Sequence, residues 1–368
     1  MENSEQLKST LCFLRVRSSR PFFKKLYDLL TLIQSGRIVS RIWAIFFYPL
    51  SLLWLLGCYI KYLTANKHTV KTVVVSIGNL EAGGTGKTPT TIKVANILKN
   101  FVSNVCIINY EKNRKSADES IVISEALPEV QVLSGKNRKK IFYEVLGKSP
   151  ELVIIDDGFQ YFEIPNKINI VLVDPETPIN LLIPSGRMRF PITFLKYADV
   201  IIVKKRHNNG DYSRFVNQME KFHKPIFTLE YSPLYLKNIR GEKIPLSSAK
   251  NKKVLAFCGI AKPSDFIGMV KKLGPQKIYM AWYPDHFQYS EKDMKELQSI
   301  FCHMNLDVTI TTEKDLVKLK NLKVTIPLYG LAIETNIEPD QYFKQWLLEK
   351  FSDMQKKYPT IETRKFMV

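Results

Sequence analysis

Three patterns predict an α/β protein built on a mostly parallel sheet. Short apolar runs of strand length recur, helix-spaced segments alternate with them, and a glycine-rich turn joins one such run to the next helix. A chain of 368 residues can hold two domains with cores of their own, and 45% apolar content is that of a globular protein. Five scattered cysteines without a CxxC pair argue against a disulfide framework or a zinc site.

Taken in order, residues 1–40 are basic and polar with apolar patches and read as short helices. Ile42 to Ile60 carries no charge over nineteen residues, just enough to span hydrocarbon. Thr72 to Ile77 is an apolar strand, and Thr91 to Leu98 a helix. Phe101–Asn109 ends in a buried strand, Glu119 to Ala126 reads as a short helix and Val130–Leu133 as a strand. Arg138 to Leu146 has helix spacing. Leu152–Asp157, Ile168–Asp174 and Val200–Val203 are further buried strands. The polar, basic stretch Arg240–Lys253 reads as a linker. Beyond it the alternation restarts: Val254–Cys258, Lys277–Trp282 and Val308–Thr311 as strands, with Pro263–Lys272, Glu291–Phe301 and Asp315–Leu319 as helices. The expected division is an N-terminal segment with the apolar helix (1–65), a nucleotide-binding core (66–245), a smaller α/β domain (246–350) and a charged tail (351–368) that frays.

The turn Glu81-Ala82-Gly83-Gly84-Thr85-Gly86-Lys87-Thr88 sits between a strand and a helix, the layout of a P-loop NTPase. Glycines let backbone N–H groups close around phosphate oxygens, and the helix start adds its positive dipole end. Lys87 would reach the β- and γ-phosphates of ATP and the Thr88 hydroxyl would hold Mg²⁺. The usual pattern has Gly where Glu81 stands, and a plain turn between strand and helix is the alternative.

Asp156-Asp157 ends an apolar strand, where a carboxylate binds Mg²⁺ directly or through water. An Asp-Asp-Gly turn is the bland reading. His286, in Pro284-Asp285-His286 between a strand and a helix, is a general base only if something opposite it needs one. Asp118-Glu119 reads as an acidic helix start. Thr311-Thr312-Glu313-Lys314-Asp315 reads as a cap with charge pairs or as a second phosphate-facing turn.

The net charge of +19 admits nucleic acid, an anionic membrane or a polyanionic substrate. Basic density at Arg15–Lys25, Lys136–Lys140 and Lys204–Arg206 carries no nucleic-acid-binding signature. The apolar segment favours a membrane. Trp43, Phe46, Phe47, Tyr48 and Trp54 suit the headgroup level, with Arg37, Arg41, Lys61, Lys67 and Lys71 in the flanks. Pro49 would kink or interrupt the helix. The segment starts late and lacks a cleavage site, which disfavours a leader. A single span with its N-terminus inside would put Lys87 outside, away from ATP. A helix in the cytoplasmic interface avoids this, and a buried core helix is the alternative.

In their order these pieces resemble the tetraacyldisaccharide 4'-kinase family, the lipid A 4'-kinases. The resemblance rests on Ser76-Ile77-Gly78-Asn79-Leu80, Gly83 to Pro89, and Asp156-Asp157-Gly158-Phe159-Gln160. It continues with Ile183-Pro184-Ser185-Gly186 and Arg189, Ala198-Asp199, Gly259-Ile260 with Pro263 and Phe266, Asp285-His286, and Thr311 to Asp315 with Lys318. It covers about residues 36–335. It implies transfer of the ATP γ-phosphoryl group to the 4'-hydroxyl of a lipid A disaccharide 1-phosphate precursor, at the cytoplasmic face of the inner membrane. It also implies that His286 is the catalytic base, Asp118 its partner, and Asp156 and Asp157 the residues of Mg²⁺ and catalysis; the basic stretches, lacking a binding signature, lead to no nucleic acid being expected as a partner. The chain departs from the family in having Ile107-Ile108-Asn109-Tyr110 for Ser-Arg-Gly-Tyr, a short loop at 111–116, Ser120 for Pro, Tyr161 for His and Phe190 for Glu. The main rival is a membrane-recruited ATPase switch, whose signature Lys position is occupied here by Ala82.

Overall fold

The computed structural model describes residues 11–13, 37–110, 118–177, 181–205 and 209–358. The basic stretch Arg15–Lys25, the loop 111–116 and the last ten residues of the tail lie outside these.

The chain forms two compact units. The larger holds residues 37–230 and 335–358 of the described chain, the smaller residues 11–13 and 231–334. The elements follow in chain order: β1 (Leu11–Phe13), α1 (Arg37–Leu63), β2 (Val73–Asn79), α2 (Lys87–Leu98), β3 (Val105–Tyr110), α3 (Asp118–Ala126), β4 (Gln131–Gly135), α4 (Arg138–Leu146), β5 (Leu152–Asp156), β6 (Lys167–Val173), β7 (Val200–Lys204), α5 (Asn209–Glu220) and β8 (Ile226–Asn238). Then come β9 (Lys243–Ile244), β10 (Lys253–Cys258), α6 (Pro263–Lys272), β11 (Lys277–Trp282), α7 (Glu291–His303), β12 (Val308–Thr312), α8 (Glu313–Leu319), β13 (Leu328–Glu338) and α9 (Asp340–Lys357).

In the larger unit the strands run in the order β8-β7-β6-β2-β5-β3-β4, all parallel. The expectation of a mostly parallel sheet is met. Every residue of β2 is buried, as a central strand covered on both faces requires. Parallel order places the ends of β2, β3 and β5 along one edge, so the loops after them meet there. In the smaller unit β1, β11, β10, β12 and β13 are parallel, and β9 pairs antiparallel with β8.

Three readings change. Residues 240–253 form the β8–β9 hairpin, a 3-10 turn at Leu246–Ala249 and the start of β10, all inside the smaller unit. Their polarity reflects an exposed hairpin rather than a linker; the chain passes between units within β8 and within β13. Helix α9 continues through Lys357 where fraying was expected. Phe343, Leu347 and Phe351 recur every four residues and are buried, so one face is held by the core although most of the helix is charged. Leu11–Phe13, expected to lie among short helices, is strand β1, paired parallel with β11.

Helix α1 runs through Pro49 without a break. It is fixed on both sides of the proline. Trp43 Nε1 donates to the Pro184 carbonyl at 3.0 Å and Ser51 Oγ to the Leu182 carbonyl at 2.9 Å. Farther along, Trp54 and Cys58 reach the Arg189 carbonyl, and Tyr62 stacks on Tyr197. The spacing 43, 51, 54, 58, 62 is one helical stripe. The remaining surface is bare: Ile45, Phe46, Leu53 and Leu63 are 65–76% exposed. A buried core helix is therefore ruled out.

Candidate active site

The phosphate loop is built on β2 and α2. Asn79, the last residue of β2, is buried and donates from Nδ2 to Thr85 Oγ1 at 2.8 Å. Its other side-chain atom, Oδ1, accepts from Lys87 Nζ at 3.4 Å. One amide thus fixes both halves of the turn. Gly83 (φ 118°) and Gly86 (φ 95°) take left-handed conformations that a side chain would strain, and Gly86 caps α2. Glu81, the residue that breaks the usual pattern, turns inward: its buried carboxylate accepts the Thr177 hydroxyl. The backbone beside it is clamped, with Ala82 N donating to Arg187 O at 2.7 Å and the Arg187 guanidinium donating back to Ala82 O at 3.0 Å.

Asp156, at the end of β5, reaches the loop. Its Oδ2 accepts from Thr88 Oγ1 at 2.9 Å. Its Oδ1 is buried with no hydrogen-bond partner. Burial is the main cause that lifts this carboxyl to about 7; the nearby Glu119 charge adds to the rise, while Lys87 and the Thr88 hydroxyl oppose it. A buried, unpaired carboxylate oxygen beside a threonine hydroxyl is the donor set a hard divalent cation takes. The residues present therefore fit Mg²⁺.

Asp157 is placed differently. It has φ 56°, a left-handed conformation that costs a non-glycine residue and that recurs at functional positions. Arg189 Nη1 donates to its two oxygens at 3.2 and 3.0 Å, and Lys87 Nζ lies 3.7 Å from Oδ1. The adjacent aspartates divide: Asp156 sits with Thr88, Asp157 with two cations. Gly158 follows, where a Cβ would meet Ile155 Cβ and Ser76 Oγ at 2.8 Å. The loop after it is anchored from below by buried Lys167, which donates to the carbonyls of Tyr161 and Ile164. Burial draws the Lys167 amine down to about 7, against Glu163 and Asp199.

Asp118, the first residue of α3, is buried in the larger unit. His286 belongs to the smaller unit and also has φ 56°. Its N–H donates to Gly259 O at 3.1 Å, and its Nε2 lies 3.4 Å from Lys314 Nζ. Asp315, fully buried, accepts from Gly259 N at 2.9 Å, Thr312 Oγ1 at 2.8 Å and Lys318 Nζ at 2.9 Å. The Thr311–Asp315 stretch is thus a cap with a charge pair, and it braces the turn on which His286 hangs. Helix α8, which begins within this stretch at Glu313, has only seven residues.

The family of tetraacyldisaccharide-1-P 4'-kinases matches residues 43–352. The chain belongs to this family. A tetraacyldisaccharide 4'-kinase of Halothermothrix orenii is 30% identical over 73% of this chain and 81% of that relative. One of Syntrophus aciditrophicus is 28% identical over 76% and 84%. The crystal structure of the Aquifex aeolicus family member LpxK, in complex with ATP, superposes with a TM-score of 0.65 at 25% identity, covering 84% of this chain and 99% of that one. The protein is accordingly a kinase of lipid A biosynthesis.

The larger unit brings Lys87, Thr88, Asp156 and Asp157 together within a few ångströms. Sequence reasoning assigned no role to Asn79, Arg187, Thr177 or Lys167. A polar residue closing an apolar strand was the available signal for Asn79. Nothing in the local pattern marks the other three, whose partners are 3 to 105 residues away.

Proposed function

We propose that the chain transfers the γ-phosphoryl group of ATP to the 4'-hydroxyl of a tetraacyldisaccharide 1-phosphate. The observation that carries this is the Asp156 carboxylate, one oxygen on the Thr88 hydroxyl and the other buried and unpaired at the start of α2. Backbone N–H groups within residues 83–88 would cradle the phosphates, whereas that of Ala82 is spent on the Arg187 carbonyl and Glu81 turns away, and Thr88 and Asp156 would hold Mg²⁺. Bound there, the ion would neutralise charge on the β- and γ-phosphate oxygens. Lys87, steadied by Asn79 and Asp157, adds a positive charge where the transition state gathers negative charge. His286 takes the proton of the 4'-hydroxyl as the γ-phosphoryl group leaves, and Asp118 stabilises its protonated form. These two roles rest on the resemblance.

Helix α1 lies in the cytoplasmic interface of the inner membrane. Its bonds to residues 182–189 run from Trp43 to Cys58, about 22 Å of helix. A spanning helix would drag those residues into hydrocarbon, whereas an interfacial one leaves the bare apolar side to the acyl chains. Lys61 and Lys67, placed over the Phe162 and Tyr62 rings, sit at the end of this helix where anionic headgroups would be.

Purified protein incubated with labelled ATP, Mg²⁺ and tetraacyldisaccharide 1-phosphate should yield a labelled lipid. Nucleotide binding without transfer to that acceptor would overturn the reading.

A further inference from the structure

We propose that α1 is a limb of the active site as well as an apolar surface, with Trp54 acting as a positioning residue through Arg189. The inference uses the proposed transfer reaction for one of its two readouts.

Arg189 is held at three points. Its N–H donates to the Leu80 carbonyl at 2.6 Å, one residue before the phosphate loop. Its carbonyl accepts from Trp54 Nε1 at 2.8 Å and from Cys58 Sγ at 3.2 Å. Its guanidinium donates to both oxygens of Asp157. The route runs by hydrogen bonds from α1 to the Arg189 backbone and from the Arg189 side chain to Asp157, and then by an ion pair from Asp157 to Lys87 at 3.7 Å.

The segment that Arg189 occupies has little regular structure to hold it. It pairs through isolated bridges, Glu81 with Met188 and Leu182 with Met188. Ser51 Oγ adds bonds to the Leu182 carbonyl and Ser185 Oγ, both at 2.9 Å. Segment 182–189 is thus sandwiched, with the phosphate loop on one side and α1 on the other. A side chain that must present a planar fork to a carboxylate depends on where its backbone stands. An anchor requires no hydrogen bond from its helix into the catalytic unit. Two of the helix's residues nonetheless converge on the one carbonyl whose residue holds Asp157.

Four full-length proteins test this in detergent micelles: wild type, Trp54→Phe, Arg189→Ala and the double variant. Trp54→Phe keeps an aromatic ring and removes the N–H donor. It should lower kcat by roughly 3- to 10-fold, with KM for the lipid and sedimentation with phosphatidylglycerol-containing vesicles unchanged. In the Arg189→Ala background the same substitution should change kcat by less than about 2-fold, because the route is already cut. The cycle is repeated on the dissociation constant of a fluorescent ATP analogue with Mg²⁺, which needs no acceptor. The same non-additivity is expected there, so a wrong acceptor and a wrong coupling give different results. Losses that multiply in the double variant would overturn the proposal. So would a Trp54→Phe defect confined to lipid KM and vesicle binding, which would make α1 an anchor only, or wild-type values in both readouts.

Discussion

Replacing Gly78 by Ala sets a methyl group against the loop that carries Asp157. Its Cβ would stand 2.4 Å from Phe159 Cβ and 2.8 Å from Phe159 N, where ordinary contact begins at 3.4 Å. Neither atom can swing away by a change of rotamer, so β2 and the Asp157–Phe159 loop must separate by about 1 Å in a close-packed interior. Overpacking of this kind costs about 1–3 kcal/mol. The displaced loop carries the Asp157 carboxylate, which Arg189 holds at 3.0 Å and Lys87 faces at 3.7 Å. A misplacement of about 1 Å can cost roughly 10²-fold in rate. Urea unfolding and steady-state turnover measure both effects, and Gly268→Ala is the matched control. Gly268 lies inside α6 with nothing within 4 Å of a Cβ, so the substitution should stabilise by up to about 1 kcal/mol and leave kcat alone. A Gly78→Ala protein with wild-type midpoint and turnover would refute the reasoning, as would equal losses in the two variants.

His286→Ala should lower kcat by roughly 10²–10⁴-fold while the dissociation constant for ATP stays near wild type; wild-type turnover would remove His286 from the mechanism. Asp156 gives a pH signature to the metal-free protein. Its carboxyl is raised from 3.8 to about 7, so the folded state keeps a proton the unfolded state has lost, and stability falls as pH rises through that window by up to about 4 kcal/mol. Asp156→Asn should flatten that dependence in urea titrations at pH 5 and pH 8, and should abolish the added stability conferred by MgATP; an unchanged pH slope would show that Asp156 is not the group responsible. Phe351→Ala, in the part of α9 beyond Glu349, should cost about 3–5 kcal/mol in chemical denaturation, whereas a dispensable tail would leave the midpoint where it was.

The reasons some features were legible in the sequence are local. Strand β2, the glycine turn and α2 are adjacent in the chain, so a buried apolar run, two left-handed glycines and a helix start sit within about 25 residues and specify the loop directly. Helices α4 and α6 and strand β11 fall where their periodicity predicts. Strand β8 did not show itself: it contains Pro233, and its residues are mostly half-buried, which blurs the alternation. Helix α9 was hidden by its charges, because only three anchors on one face are buried.

The sequence by itself determined the nucleotide loop, the paired aspartates, the parallel α/β class and the apolar helix, since each is a short pattern whose physics closes within one or two elements. Only the tertiary structure decided what the pieces do to one another. It set Asp156 on Thr88 and Asp157 on Arg189 and Lys87, turned Glu81 inward to Thr177, and showed that one stripe of α1 is bonded to the catalytic unit while the rest is bare. Those are contacts between residues 32 to 141 positions apart, selected by burial and register in the folded sheet, and no local pattern encodes them.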